Sequence, residues 1–588
     1  MLRKTKIIAT MGPAVDDEAT MERLLQAGMN VGRFNFSHGT HEEQKGRIEM
    51  LRRASERTGI PVAILLDTKG PEIRTGNIKD GGKISLLPDQ PITLTTEEVP
   101  GTASLLSISY INLPREVYPG GHIFIADGLV DLEVVQTGDT EIQCIVRNGG
   151  IIGSRKNVNV PGVRTGLPAV TEKDIKDIEF GIANNIDFIA ASFIRKATDI
   201  AEVQHIVDRH KASTRIIAKI EDEEGLSSIT EIVAASGGVM VARGDLGVQL
   251  QTEEIPLAQK RIIQECNLQN KPVITATQML DSMISNPKPT RAELTDVANA
   301  IFDGTDAVML SGETANGAYP VESVEMLHRI ALEVEKSNEY LERSRQYFQF
   351  HQSETDISEA ITRAAYVVAT DIQAAALISP SLRGNSPRLL SKYRPSQPVI
   401  AVTTSDVVQR QLLLHWGVYP LLSEYVNDSD KMIQNSLRLA LKHDYIRRND
   451  KVVSAAGMPL NSPIMMNTIK VHFVGNILNR GHRGFGDICS GTIVKARSFE
   501  QAKQRLRMNG TEILLIPELT EEYTPVLGSV RGVLVEQKAL IDLAALHAQF
   551  PHLVVVADIR DAYRQFEQNQ SISLHGDEKL VYEGWVTP

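Results

Sequence analysis

Three cysteines in 588 residues, Cys144, Cys266 and Cys489, are too few, too scattered and odd in number for a disulfide framework or a zinc knuckle. They point to a reducing compartment, and the chain is expected to be cytoplasmic. No run approaches the roughly 18 apolar residues of a membrane helix, and the apolar stretch of MLRKTKIIATMGP is too short for the core of a secretion signal. Low-complexity tracts are missing too. Hydrophobic residues at 42% beside charged residues at 23% exclude a disordered or fibrous chain. Nor is positive charge in excess. The 62 lysines and arginines against 73 aspartates and glutamates leave a net charge of −11 with no basic block, so neither nucleic acid nor a membrane is an expected partner.

At about 150 residues per domain the length suggests roughly four domains. Through the first half recur eight short, β-branched apolar runs: KIIAT, VGRFNF, VAILL, DFIAASF, RIIAKI, GVMVA, PVITA and DAVML. Several intervals show helical periodicity, as at Met21, Leu24 and Leu25 with Gly28 as a stop, or around Ile262 and Ile263. Eightfold strand–helix alternation favours a (β/α)8 TIM barrel, although a doubly wound sheet shares the alternation. Between VAILL and DFIAASF the rhythm breaks for about a hundred residues rich in strand signals, far beyond an ordinary βα connection. An inserted β-barrel lid domain, hung over the carboxyl ends of the strands, is expected there. Near residue 353 the pattern restarts as an open α/β domain, and Asn479 to Gly486, rich in Gly, Arg and His, reads as a linker to a last α/β unit. The expected domains are 1–69 with 167–340 (barrel), 70–166 (lid), 341–475 (α/β, regulatory) and 476–588 (linker and extra C-terminal α/β domain of the swivelling type).

Polar residues collect just after the predicted strands. Strand two ends in Arg33, Asn35, Ser37 and His38, and strand three in Asp67, Thr68, Lys69 and Arg74. Strand five gives Lys219, Glu221 and Asp222, strand six Arg243, Gly244 and Asp245, and strand seven Thr275 and Thr277. Any one could be surface solvation; five clusters on one rim are hard to explain so. Glu221 and Asp245, on neighbouring strands, repel unless a cation lies between them, and hard oxygen ligands suit Mg²⁺ or Mn²⁺. Lys219 between them would stabilise a developing enolate or phosphoryl charge. The Gly244 and Asp245 N–H groups, at a helix start, are expected to point outward at a carboxylate or phosphate. Arg33, Arg74 and, in the insertion, Lys156 would form a cationic clamp for phosphoryl transfer. Asn35, Ser37, Asp67 and Thr68 offer a mostly neutral oxygen set, better matched to a monovalent cation.

The stretches KTKIIATMGP, MNVGRFNFSHG, LLDTKGPEIRTG, IIAKIEDEEGL, VARGDLGV, ITATQMLDSM, PTRAELTDVANAIFDGTDAVMLSGETANGAYPVE and SKYRPSQPVIAVT, in this order over residues 1 to 475, resemble the pyruvate kinase family. The resemblance implies transfer of the phosphoryl group of phosphoenolpyruvate to ADP in glycolysis, giving pyruvate and ATP, by a homotetramer. It also implies roles. Arg33 binds the substrate phosphoryl group, Lys219 neutralises that group and the enolate, and Gly244, Asp245 and Thr277 bind the substrate carboxylate. Thr277 joins the proton relay, Arg74 and Lys156 hold nucleotide phosphates, Glu221 and Asp245 hold Mg²⁺, and Asn35, Ser37, Asp67 and Thr68 hold K⁺. Glu72, where K⁺-independent members carry lysine, implies K⁺ dependence.

Two regions depart from the family pattern. The phosphate-gripping loop of the third domain is Ser381, Leu382, Arg383, Gly384, Asn385, Ser386 and Pro387, which keeps two hydroxyls and adds a charge, so a phosphorylated allosteric effector stays open. The effector loop is NSPIMMN, Asn461 to Asn467, which argues against fructose bisphosphate. The tail, about 484 to 588, is similar to the phosphohistidine domain of phosphoenolpyruvate-utilising enzymes, but Ile541, Asp542 and Leu543 stand where that domain has its active run. Leucine accepts no phosphoryl group, and His547, four residues on, reads as a surface or core histidine. The competing readings are a phosphohistidine phosphotransferase of the pyruvate phosphate dikinase kind and a catalytically silent phosphometabolite sensor.

Overall fold

The computed structural model describes residues 2–343, 356–426, 428–448, 450–459, 464–475, 477–507 and 510–584. The chain forms two compact units, residues 1–352 with 406–418, and 353–405 with 419–588.

In the first unit the eight apolar runs become strands β1 (Lys6–Thr10), β2 (Val31–Asn35), β3 (Ala63–Asp67), β4 (Phe188–Ala191), β5 (Arg215–Ile220), β6 (Gly238–Ala242), β7 (Val273–Ala276) and β8 (Ala307–Leu310). They close into one parallel barrel, with β1 paired to both β2 and β8. Such strands are buried on both faces, hence near-continuous apolar runs instead of alternation. Ile8, Val31, Leu65, Phe188, Ile217 and Met240 fill the interior, while their neighbours Ile7, Ile64, Leu66, Ile189 and Val239 pack outward under the helices. The first helix, Glu18–Ala27, shows the local logic: Asp17 caps its start by accepting from Thr20 N–H, and Gly28, at φ 111°, ends it in a left-handed turn that favours glycine.

The insertion forms a seven-stranded mixed sheet and a two-stranded ribbon. Its edge strands Ile73–Arg74 and Leu105–Ser107 meet through a Thr75–Ile108 bridge, a Gly76 N–H bond to Ser107 O (2.8 Å) and a Ser109 N–H bond to Arg74 O (2.9 Å), which rolls the sheet up on its own core.

One segment departs from expectation. Residues 406–418, placed by sequence in the third domain, belong to the barrel unit. Leu413 and Leu414 join the barrel's inner core, Arg410 pairs with Asp187 (2.9 Å), and Trp416 N–H bonds Asp306 (3.2 Å). The amino end of a closed barrel exposes apolar side chains, and these leucines cover them.

The second unit holds a five-stranded sheet ordered Val418–Leu422, Val399–Thr403, Ala376–Pro380, Lys451–Ala456 and Thr468–Phe473, then an eight-stranded mixed sheet over the tail. The expected linker at Asn479–Gly486 is structured. Ile477–Arg480 pairs with Leu580–Glu583, and Arg483–Phe485 pairs with Val554–Ala557, so the two segments are the edge strands of the tail sheet. Glycine permits this by close approach: a Cβ on Gly481 would stand 2.6 Å from Ala557 O, and one on Gly484 2.4 Å from Val555 O. Among the described residues no helix is long and apolar enough to cross a membrane, and the three cysteines are free.

Candidate active site

The rim at the carboxyl ends of the barrel strands carries a continuous polar network. Arg33, in β2, directs Nε to Asp67 Oδ2 at 2.6 Å and Nη1 to Thr10 Oγ1 at 2.9 Å. Asp67 closes β3, and its other oxygen lies 3.2 Å from Lys219 Nζ. Lys219 and Glu221 stand two residues apart on an extended segment and so share one side. Their groups meet at 2.7 Å. Lys219 also donates to Ser192 Oγ (2.7 Å), while Glu221 Oε2 accepts the Phe193 N–H at 2.6 Å. Ser192 in turn donates its hydroxyl to Thr68 O (2.8 Å) and its backbone N–H to Thr68 Oγ1 (3.1 Å), tying the β3 end to the β4 end.

Nearly all of this is shut off from water: the Asp67 and Glu221 side chains are each 1% exposed and that of Lys219 12%. Burial opposes the Lys219 charge, but Asp67, then Glu221 and Asp245, outweigh it and hold the ammonium more firmly protonated than usual. Burial likewise pushes Asp67 up, yet Lys219 and Arg33 win and keep it below the ordinary carboxylate range. Glu221 and Asp245 are both raised. Burial is the main cause, Asp245 adds to it at Glu221, and Lys219 opposes it at both. Glu221 is buried, Asp245 partly so, and Asp245 opposes the ionisation of Glu221, a repulsion that a hard, oxygen-seeking divalent cation held by the two carboxylates would relieve.

Gly244 differs from expectation. Its N–H, in the helix Arg243–Gln249, does not point outward unpaired but donates to Thr277 Oγ1 at 2.8 Å, satisfying a partly buried donor. Thr277 has φ 67°, a conformation costly for a β-branched residue, and its hydroxyl donates to Ala276 O at 2.6 Å. Arg243 braces this turn by bonding Ala276 O, Thr277 O and Asp296.

Of the remaining predicted residues, Asn35 is the register partner of Asp67, and its Oδ1 accepts the Ser37 N–H at 3.0 Å, so Asn35, Ser37, Asp67 and Thr68 sit at two adjacent strand ends. Arg74 ends one short strand of the insertion and Lys156 immediately precedes its partner strand Asn157–Asn159, the two linked by the Thr75 N–H donating to Lys156 O at 2.7 Å. The Arg74 guanidinium is held by Glu72 at 2.6 Å, not by the barrel cluster. A cavity of about 280 Å³ lies between the insertion and the rim, lined by Glu72, Asn157, Phe193, Arg195 and Asp245 among others. Sequence reasoning passed over Thr10, Ser192 and Arg195. The first two are hydroxyls at the ends of KIIAT and DFIAASF, so the strand-end rule that found the others would have found them. Arg195 donates to Thr165 O (3.0 Å) and Leu167 O (2.7 Å), anchoring the chain's return from the insertion.

In the second unit, Ser381 Oγ accepts the Gly384 N–H (3.1 Å) and Ser386 Oγ donates to Met465 O (2.6 Å), so both hydroxyls are used within the fold. Of the loop Asn461 to Asn467, residues 461–463 lie outside the described residues. Asp542 caps the helix Leu543–Gln549 by accepting the Ala544 N–H, and His547 packs on Phe485 with ring centroids 4.8 Å apart, which suits a structural histidine.

A TIM barrel with an inserted β lid carries a buried Arg–Asp–Lys–Glu network at the carboxyl rim of its strands, and comparison with known proteins places it among phosphotransferases of the barrel class. The family model described as pyruvate kinase, barrel domain, matches residues 2–324, and that of the pyruvate kinase alpha/beta domain matches residues 359–472. Pyruvate kinases from Geobacillus stearothermophilus and Sporosarcina psychrophila are 44% and 41% identical, each with 99% of both chains covered, and one from Staphylococcus aureus is 39% identical over the whole of both. A crystal structure of a pyruvate kinase from Cryptosporidium parvum superposes with a TM-score of 0.77 at 40% identity, covering 80% of this chain and 96% of that one. This chain belongs to the pyruvate kinase family.

Proposed function

We propose that the chain moves the phosphoryl group of phosphoenolpyruvate to ADP, with Mg²⁺ or Mn²⁺ and K⁺ as cofactors. The ADP β-phosphate oxygen attacks phosphorus, the bond to the enol oxygen breaks, and the enolate left behind takes one proton at its methylene carbon to become pyruvate. The observation that carries this reading is the Arg33–Asp67–Lys219–Glu221 relay: two cations fixed by two buried acids, preorganised for charge that grows in the transition state.

Within it Arg33 grips the phosphoryl oxygens, and Lys219 faces both the transferring group and the enolate oxygen. Asp245 and Thr277, the latter fixed by the Gly244 N–H on its hydroxyl, receive the carboxylate, the Thr277 hydroxyl holds a proton on the enolate's side, and Arg74 and Lys156 of the insertion steady the nucleotide phosphates. Glu221 and Asp245 would hold the divalent cation and Asn35, Ser37, Asp67 and Thr68 the K⁺. When bound, these ions neutralise oxygens that would otherwise repel one another. A homotetramer, a phosphorylated effector and a cytoplasmic setting accord with the family. The test is pyruvate formation from phosphoenolpyruvate and ADP with each ion varied alone; no turnover with both ions present would overturn the reading.

A further inference from the structure

In the tail domain, outside the residues that either family model matches, a cavity of about 740 Å³ is walled by Lys495, Arg497, Arg505 and Arg507 together with Tyr563 and a single carboxylate, Glu512. Its volume is that of a small-molecule pocket. Lys495 is the last residue of Ile488–Lys495 and Glu512 the first of the parallel neighbour Glu512–Ile516, so the two strands anchor the pocket's lining from opposite ends.

Two of the cations are fixed in place without being neutralised. Lys495 Nζ donates to Tyr563 O (2.7 Å) and Phe566 O (3.0 Å), and Arg505 Nη1 donates to Lys495 O (2.7 Å). The Arg497 guanidinium stands 5.6 Å from the centre of the Tyr563 ring, with Lys495 Nζ at 5.2 Å. Glu512, buried, accepts the backbone N–H of Arg507 (2.7 Å) and does not offset its guanidinium. Among the described residues no carboxylate lies within salt-bridge distance of any of the four. In a chain of net charge −11, four like charges around one hollow repel each other, and backbone carbonyls hold two of them there.

We propose that this pocket is a binding site for a small phosphorylated metabolite, separate from the catalytic rim. Guanidinium forks match phosphate oxygens two at a time, and Lys495 adds a point charge at the floor. The concave shape and the overall negative field favour a metabolite over a nucleic acid or an anionic membrane.

The experiment is calorimetric titration of the full-length chain with inorganic pyrophosphate in divalent-free buffer, comparing the wild type with Arg497→Ala/Arg507→Ala. Neither of these side chains donates a hydrogen bond that the fold relies on. The double variant is expected to lose one site per chain, or to bind there at least about 10-fold more weakly, with the KM for phosphoenolpyruvate unchanged. Should it not fold, Gln501→Glu, which sets a second carboxylate on the lining, is expected to give the same loss. Identical titrations in wild type and variant, or loss of all pyrophosphate binding on Arg33→Ala, would overturn the site.

Discussion

The ammonium of Lys219 lies 2.7 Å from Glu221 Oε1, on the same side of the same extended segment, with both groups almost wholly buried. On the proposed reading this paired, buried charge acts on the enolate and phosphoryl oxygens of the transition state. Lys219→Met is therefore expected to lower kcat by about 10²-fold or more while the KM for phosphoenolpyruvate changes far less. Steady-state kinetics on variant protein with an intact circular dichroism spectrum checks this; a KM effect with unchanged kcat would remove Lys219 from the transition state.

The same distance sets the fate of Glu221→Gln. The amide keeps the shape and can still accept the Phe193 N–H, but it no longer offers a charged oxygen to a divalent cation. Mn²⁺ binding, followed by electron paramagnetic resonance, is expected to weaken by at least about 10-fold. Unchanged Mn²⁺ affinity would move the metal elsewhere.

Much of this site was readable from the chain because the barrel's chemistry obeys a positional rule. A polar residue directly after a β-branched run lands on the rim, so Arg33, Asp67, Lys219, Glu221 and Thr277 could be named without coordinates. What escaped depends on distant partners. Nothing in the letters of 406–418 says that Leu413 and Leu414 enter the barrel interior, because that is decided by an opening formed from strands hundreds of residues away. Asn479–Gly486 has the glycines of a linker, but those glycines serve close backbone approach at sheet edges that exist only after the central strands pair. The Gly244 N–H was expected to face a ligand; Thr277, in its left-handed turn, reaches it first.

The barrel plug makes a stability prediction. Leu414 is fully buried, and truncation to alanine leaves a cavity against Ile8 and its inner neighbours. Leu414→Ala is expected to cost about 2–5 kcal/mol, seen as a lower denaturation midpoint of the barrel unit. A change within error would mean the leucine is not part of the working core.

Glu72 bears on the monovalent ion. Its Oε2 is shared between Arg74 (2.6 Å) and Lys69 (3.5 Å), so a negative charge stands among cations beside the insertion. A lysine there would supply a fixed positive charge where a mobile one is otherwise required. Wild-type turnover is expected to fall by about 10-fold or more without K⁺, and Glu72→Lys to flatten that dependence. Equal wild-type turnover with and without K⁺ at saturating substrate would refute the assignment of Asn35, Ser37, Asp67 and Thr68.

His472 gives the second unit a pH response. It lies buried in the strand Thr468–Phe473, with Nε2 2.8 Å from Ser454 Oγ. Burial, reinforced by Lys470 and opposed by Asp430, lowers its pKa from 6.5 to about 4. The unfolded chain therefore binds the proton first, and stability that is complete above pH 6.5 drains away as pH falls toward 4, by up to roughly 3 kcal/mol. In His472→Gln, where the amide can still bond Ser454, that loss should vanish. Calorimetric melts of both proteins between pH 7 and 5 decide the matter: the wild type should lose more of its melting temperature than the variant, and parallel profiles would show that His472 protonates as easily folded as unfolded.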